Sequence, residues 1–389
     1  MGDVYVAAAA RTPIGGFQGE LSSLSATELG AIAIAAAVAR AAIEPAALGE
    51  TVMGCVLPAG LGQAPARHAA RLAGLPDDVP ATTLNKVCGS GMKAIMVAAD
   101  GLALGRGALA VAGGMESMSN APYLLAKARG GYRLGHGELK DHMFLDGLED
   151  AAEHRLMGTY AEDTASHFQF TRADQDAYAT ESLLRAKRAQ GEGDFADEIV
   201  PVPVAGRLSV SLDEQPRKAA PARIPALKPA FAPGGTVTAA NASSISDGAA
   251  ALVLAGEKAV RSQSIKPIAR IVAQTSFAKE PRWFTTAPVG AIRKVLDLAG
   301  WSVEEVDLFE VNEAFAAVAM IVMRDLAVPH ERLNVNGGAC ALGHPIGCSG
   351  ARIVVTLLNA LRRRGLSKGV ASLCIGGGEA TALALEMVS

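Results

Sequence analysis

Three segments from the first third of this chain recur, in the same order, in its last third. Ala42-Ile43-Glu44-Pro45-Ala46-Ala47-Leu48-Gly49 can be laid on Gly300-Trp301-Ser302-Val303-Glu304-Glu305-Val306-Asp307. Cys88-Gly89-Ser90-Gly91 meets Gly347-Cys348-Ser349-Gly350, each followed by a long apolar stretch of helical character. Ala110-Val111-Ala112-Gly113-Gly114 then matches Leu373-Cys374-Ile375-Gly376-Gly377. One match would be coincidence, but three in register imply a duplicated α/β unit of about 120 residues per copy. From Met115 to about Asp247 charges are denser and turns frequent, and residues 201–233 are proline-rich. This stretch reads as a loop-rich insertion. The expected division is 1–117 with 247–264 as one half, 118–246 as the insertion and 265–389 as the second half.

Local signals agree with such units. Ser25 and Glu28 form a capping box for a helix from Ala26 to about Ala42. Gly89 to Leu104 predicts a helix that is apolar almost all round and therefore central. Leu109 to Ala112 predicts a short strand ending at the double glycine, and Thr171 with Asp174 starts a charged helix that ends near Gly191.

Composition narrows the function. The 36 basic and 39 acidic residues leave a formal charge of −3, without the basic footprint that a nucleic acid demands. Residues 31–38 are too short an apolar run for a membrane span, and the start carries no basic leader region. Five unevenly spaced cysteines read as reduced thiols, so a cytoplasmic location is expected. No G-x-G-x-x-G or P-loop pattern supports nucleotide chemistry.

The candidate chemistry lies at glycine-rich turns. Cys88 follows a β-like stretch and precedes a helix, where backbone N–H groups and the helix dipole favour a thiolate. His344, in Gly343-His344-Pro345-Ile346-Gly347, is suited to take its proton, and Cys374 stands on a third turn, Cys374-Ile375-Gly376-Gly377-Gly378. A nucleophilic thiol, a base and a second thiol suit acyl transfer with an α-proton abstraction. Glycine N–H groups beside Cys88 and Cys374 can meet the oxyanions that form, and Asn312 could hold a water for a second oxyanion site. Alone, each residue has a plainer role: Cys88 and His344 as turn residues, Asn312 as a helix cap, Cys55 and Cys340 as small core residues. Cys340, His344, Cys348 and Cys374 could also be read as a zinc set, although no C-x-x-C knuckle accompanies them.

These motifs, together with Arg11-Thr12-Pro13-Ile14-Gly15, Gly113-Gly114-Met115-Glu116-Ser117-Met118-Ser119, Asn241-Ala242-Ser243, Asp247-Gly248-Ala249-Ala250 and Asn312-Glu313-Ala314-Phe315-Ala316, resemble the thiolase family along essentially the whole chain. Within it the resemblance is to acetyl-CoA acetyltransferases. It implies an α/β fold of five layers, αβαβα, from two duplicated halves with an inserted loop domain that holds coenzyme A. It also implies that Cys88 is acylated, His344 activates it and Cys374 is the α-proton acid/base. The N–H groups of Cys88 and Gly376 would form one oxyanion hole, and His344 with Asn312 the other. Met157, Ser243, Ala314 and Phe315 match positions along the pantetheine path, and Phe231 lies in the adenine-side loop. Acetyl-CoA, acetoacetyl-CoA and CoA are the implied substrates, with no metal or redox cofactor. Residues 121–143 resemble a loop that pairs dimers into a homotetramer.

The chain departs from the family pattern in three places. Leu156-Met157-Gly158 stands where many members have His-Met-Gly, Ser244 where glycine is common, and Glu379-Ala380-Thr381 where Met or Gln then Gly is frequent. Three other readings stay open: a 3-ketoacyl-CoA thiolase of broader chain length, a decarboxylating β-ketoacyl synthase, and a non-catalytic acyl-CoA-binding protein. The second thiol at Cys374 argues against the synthase.

Overall fold

The computed structural model describes residues 2–206, 208–263 and 265–388; the expected domain ends at Met1, Ser264 and Ser389 lie outside them. The first copy supplies strands β1 (Val4–Arg11), β2 (Gly15–Gly16), β3 (Glu50–Gly54), β4 (Ala81–Leu84) and β5 (Leu109–Ser117), with helices α1 (Ala26–Ala41), α2 (Pro65–Leu72) and α3 (Ser90–Ala103). The following stretch holds a small hairpin, β6 (Tyr123–Leu125) with β7 (Leu139–Asp141), and helices α4 (Met157–Phe168), α5 (Arg172–Gly191) and α6 (Glu214–Lys218). Strand β8 (Ser246–Gly256) and helix α7 (Glu257–Ser262) then return to the first copy. The second copy contains β9 (Ala269–Ala278), α8 (Ala287–Ala299), β10 (Leu308–Val311), α9 (Ala316–Asp325), α10 (Ala339–Leu342), α11 (Ile346–Arg364), β11 (Lys368–Ile375) and β12 (Glu379–Met387).

Strand pairing makes the duplication explicit. In the first copy β8 lies antiparallel between β1 and β5, and β3 runs parallel to β5. In the second, β12 lies antiparallel between β9 and β11, and β10 runs parallel to β11. The half-sheets join edge to edge where Val4, Tyr5 and Val6 of β1 pair with Ile271, Arg270 and Ala269 of β9.

The two-residue period of a strand sends alternate side chains to opposite faces, and this sorts the core into layers. Leu109, Val111 and Met115 of β5 and Ala251, Val253 and Ala255 of β8 pack with α1 and α2. Ala110, Ala112, Leu252 and Leu254 face instead the central helices α3 and α11. Across that layer, Leu373, Leu383 and Leu385 meet the same helices, while Val370, Ala380, Ala382 and Ala384 turn outward to α8 and α9. The sequence of layers is therefore α–β–α–β–α. At the centre, a Cβ on Gly350 would stand 2.4 Å from the Met92 nitrogen, and one on Gly91 2.8 Å from the Ala351 nitrogen. Glycine at both positions lets α3 and α11 cross backbone to backbone at their first turns.

Local expectations mostly match the elements. The Ser25–Glu28 capping box is formed, and α1 and α8 end on left-handed caps at Ala42 (φ 51°) and Gly300 (φ 69°), equivalent points of the duplicated segment. The strand expected over Leu109–Ala112 runs on to Ser117, because its pairing with β8 continues from Gly113 opposite Ala251 to Ser117 opposite Asp247. The α4–α6 stretch is anchored to both halves. Buried Arg11 on β1 donates to Glu198 (2.6 Å) and to both oxygens of Asp213 (2.7 and 2.9 Å). Tyr178 and Ser182 of α5 donate to buried Glu313 of the second copy, each at 2.8 Å. Among the described residues no helix is long and apolar enough to cross a membrane.

Candidate active site

The turn that carries Cys88 connects β4 to α3. Val87 takes φ 47°, a left-handed conformation that costs a β-branched residue on the order of 1–3 kcal/mol. Side chains hold the turn in place. The Val87 N–H donates to Asn85 Oδ1 (2.9 Å), while Ser90 Oγ accepts the Lys86 N–H (2.8 Å) and donates to the Val87 carbonyl (2.7 Å). Cys88 is thereby presented, partly exposed, just before the first turn of α3.

Burial dominates at this thiol. It pushes Cys88 up to about 11, although the N–H groups of Gly376 and of Cys88 itself pull the other way. The expected thiolate is therefore not the resting form. Desolvation outweighs the two N–H groups, and the Glu116 carboxylate acts in the same direction as burial.

His344 sits in the turn before α11. Its N–H donates to the Ser244 carbonyl (3.0 Å), and the Gly347 N–H donates to Glu116 Oε2 (3.0 Å). The ring Nδ1 lies 2.5 Å from Ser349 Oγ, whose hydroxyl donates to the Pro345 carbonyl at 3.0 Å. With its one hydrogen so engaged, Ser349 accepts from Nδ1–H, which leaves the Nε2 lone pair as the proton acceptor. Burial, helped by the Arg352 cation, lowers His344 to about 3, so the imidazole is neutral at pH 7.

Asn312, at the end of β10, is fully buried. Its Oδ1 accepts from Arg352 Nη2 (3.4 Å), and its Nδ2 lies 3.5 Å from both ring nitrogens of His344. Arg352 is itself held by buried Glu310 at 2.9 Å. Asn312 caps no helix: the residue before α9 is Phe315. Cys374, near the end of β11, is also buried, and its thiol is raised well above the ordinary range by burial and then by the Cys88 sulfur. The two sulfurs thus lie within each other's field.

Cys88, His344 and Gly376 line one cavity of about 330 Å³. Met157, Phe231, Ser243, Ala314 and Phe315 form its walls, as does Leu156. Phe231, expected on the adenine side, stands edge-on to Phe315 with ring centroids 6.0 Å apart. The Ser243 N–H donates to the Ala314 carbonyl at 3.0 Å, joining the two sides of the wall.

The other thiols lie elsewhere. Cys55 is hydrogen-bonded to Glu116 (3.7 Å), Cys340 to the Glu313 carbonyl (3.7 Å), and Cys348 is buried in the central layer. Among the described residues no three His, Cys, Asp or Glu side chains converge as a metal site.

Sequence reasoning missed four supporting residues: Ser349, Arg352, Glu116 and Glu313. Ser349 did carry a signal, since the duplication places it opposite Ser90. Glu116 and Glu313 stand inside motifs that carry the family resemblance, but nothing in those motifs shows what each carboxylate holds. Buried carboxylates without an adjacent cation are recognised only from their donors: Val56, Leu57 and Gly347 N–H for Glu116, and Tyr178, Ser182, Asn334 and Cys340 for Glu313.

Two family models match: "Thiolase, N-terminal domain" over residues 4–258 and "Thiolase, C-terminal domain" over residues 265–387. Acetyl-CoA acetyltransferase 2 of Arabidopsis thaliana is 52% identical over 393 residues, covering 99% of this chain and 97% of that protein. Acetyl-CoA acetyltransferase of Pseudomonas aeruginosa is 48% identical, covering 99% of each. Among solved structures, the acetyl-CoA acetyltransferase of Bacillus anthracis superposes with a TM-score of 0.97 at 43% identity, over 100% of this chain and 99% of that one. An Ascaris suum thiolase in complex with coenzyme A gives 0.95 at 43% identity, over 99% and 100%.

Proposed function

Because the chain belongs to the thiolase family, we propose that it is an acetyl-CoA C-acetyltransferase, joining two acetyl-CoA into acetoacetyl-CoA and CoA, or running the reverse thiolysis. In this reading His344 Nε2 takes the Cys88 proton as the sulfur attacks the thioester carbonyl and holds it, while Cys374 gives its own proton to the departing CoA sulfur. The Cys374 thiolate so formed removes an α-proton from a second acetyl-CoA. The enolate oxygen is met by the His344 Nε2–H and by a water on Asn312, and its carbon attacks acetyl-Cys88. The N–H groups of Cys88 and Gly376 receive the tetrahedral oxyanion, and His344 returns its proton to the departing Cys88 sulfur. Losing one such donor costs on the order of 3 kcal/mol of transition-state stabilisation.

The observation that carries this reading is the Cys88 sulfur itself. It is under the influence of two backbone N–H groups, shares a cavity with a neutral imidazole, and lies in the field of a second buried thiol. Met157, Ser243, Ala314 and Phe315 are assigned to the pantetheine arm of CoA, and Phe231, on the same cavity wall, to its adenine side. The chemistry needs no metal or redox cofactor, since sulfur and imidazole move every proton. Leu156 on the cavity wall favours short acyl groups here by filling space without offering a polar partner. A homotetramer is proposed on the β6–β7 hairpin, which leaves Tyr123, Leu125, Leu134 and Leu139 exposed. A cytoplasmic location is proposed on the reduced-thiol chemistry.

Acetoacetyl-CoA and CoA mixed with the protein should yield acetyl-CoA, with a 42-dalton-class acetyl adduct (about one acetyl group) on Cys88 in intact-mass spectra. Folded protein without thiolysis would refute the reading. Comparing kcat/KM for acetoacetyl-CoA and a longer 3-oxoacyl-CoA tests the chain-length preference, and light scattering tests the tetramer.

A further inference from the structure

Lys86 and Glu379 form an ion pair between the two halves of the molecule, at the point where their reactive turns meet. Lys86 precedes the strained Val87 and the nucleophile Cys88. Glu379 opens β12, directly after the Gly376–Gly378 turn and opposite Ile375 in the hairpin register. The pair is partly shielded, with side chains 22% and 36% exposed.

Three independent features make this contact more than a surface salt bridge. First, the turns are already pressed together: a Cβ on Gly89 would stand 2.3 Å from Ile375 Cδ1. Second, the nucleophile turn is held against backbone strain at Val87, and its other side-chain hydrogen bonds among the described residues, from Asn85 and Ser90, lie within the first copy. Lys86–Glu379 is the side-chain restraint that reaches from this turn to the second copy's turn. Third, the two N–H groups that flank the Cys88 sulfur come from opposite sides of this junction, Cys88 from one copy and Gly376 from the other. Their separation is a tertiary quantity, and neither turn can set it alone.

We propose that Lys86 and Glu379 are a positioning pair that holds the Cys88 turn in register with the Gly376 turn, and so sets the spacing of the oxyanion-binding N–H groups. The inference rests on the thiolase reading above. Neither side chain touches the reacting atoms. Their effect falls on the transition state, because a donor pair moved by a fraction of an ångström loses more with the oxyanion than with the ground-state carbonyl.

The test uses full-length protein, with wild-type thiolysis of acetoacetyl-CoA established first, so that failure of the thiolase reading shows there and not in the variants. E379Q and K86M should each lower kcat about three- to five-fold at nearly constant KM, the scale of a partly exposed ion pair acting on a barrier. The reversed pair K86E/E379K should recover most of that loss. Alkylation of Cys88 by iodoacetamide, a readout independent of turnover, should shift to higher pH in E379Q as the Gly376 N–H drifts from the sulfur. Thermal melts and circular dichroism check that the variants are folded, and the reversed pair supplies the answer where a single variant is not. Single variants within twofold of wild type, or a reversed pair no better than the singles, would overturn the proposal.

Discussion

The starts of α3 and α11 are copies of one structural idea put to opposite chemical uses. Each begins with a glycine-containing turn, each has a serine at the matching position, and each places a glycine at the crossing point. In the first copy Ser90 ties down a strained backbone so that Cys88 can be presented. In the second, Ser349 spends its hydrogen on Pro345 and so orients an imidazole. One serine restrains a main chain, the other selects a tautomer. The electrostatics diverge as well. Burial acts on both groups, pushing the thiol up and the imidazole down, so each is kept neutral and neither charges until substrate arrives. Duplication supplied the scaffold, and the local partners suit one copy to the nucleophile's part proposed for Cys88 and the other to the base's part proposed for His344.

Breaking the nucleophile's half has the largest expected effect. C88A should lower thiolysis by about 10⁴-fold or more and give no acyl adduct by mass spectrometry. C374A should be as slow in overall turnover yet still acylate at Cys88; normal turnover there would remove Cys374 from the mechanism. On the base's side, S349A leaves the imidazole free to choose the other tautomer, and kcat should fall about 10-fold or more with KM little changed. An unchanged kcat would mean that Asn312 and packing orient the ring unaided.

Acidity separates the halves further. His344 is depressed to about 3 in the folded chain, against an ordinary value of 6.5, so the unfolded state binds the extra proton first. Its contribution to stability is complete above about pH 6.5 and is lost as pH falls toward 3. H344N should therefore show a shallower acid limb in denaturant titrations, by about one proton between those limits. The smallest effect concerns the strained turn. V87G exchanges strain of about 1–3 kcal/mol for about 0.5–1 kcal/mol of added chain entropy, so Tm should rise slightly even as kcat declines. A fall in Tm would show that Val87 packing outweighs its backbone cost.

Much of this was legible in the chain. The duplication is visible in three aligned segments because strand, turn and capped helix each leave a short local signature. The Ser25–Glu28 box announced α1, and the apolar circumference of the Met92–Leu102 stretch announced a central helix. The glycine turns named Cys88, His344 and Cys374, since reactive groups need approach and glycine allows it. What stayed hidden was relational. Glu116 and Glu313 look like ordinary carboxylates until the distant donors around them are seen. Lys86 and Glu379, separated by nearly the whole chain, carry no mark of belonging together.

The order of residues thus determined which groups could react and which segments would form strands, turns and helices, because those depend on neighbours in sequence. Their acidities, the ring tautomer and the spacing of two N–H groups on opposite halves were decided only on folding. Each of those depends on water excluded and on partners brought in from elsewhere, and both are properties of the packed chain.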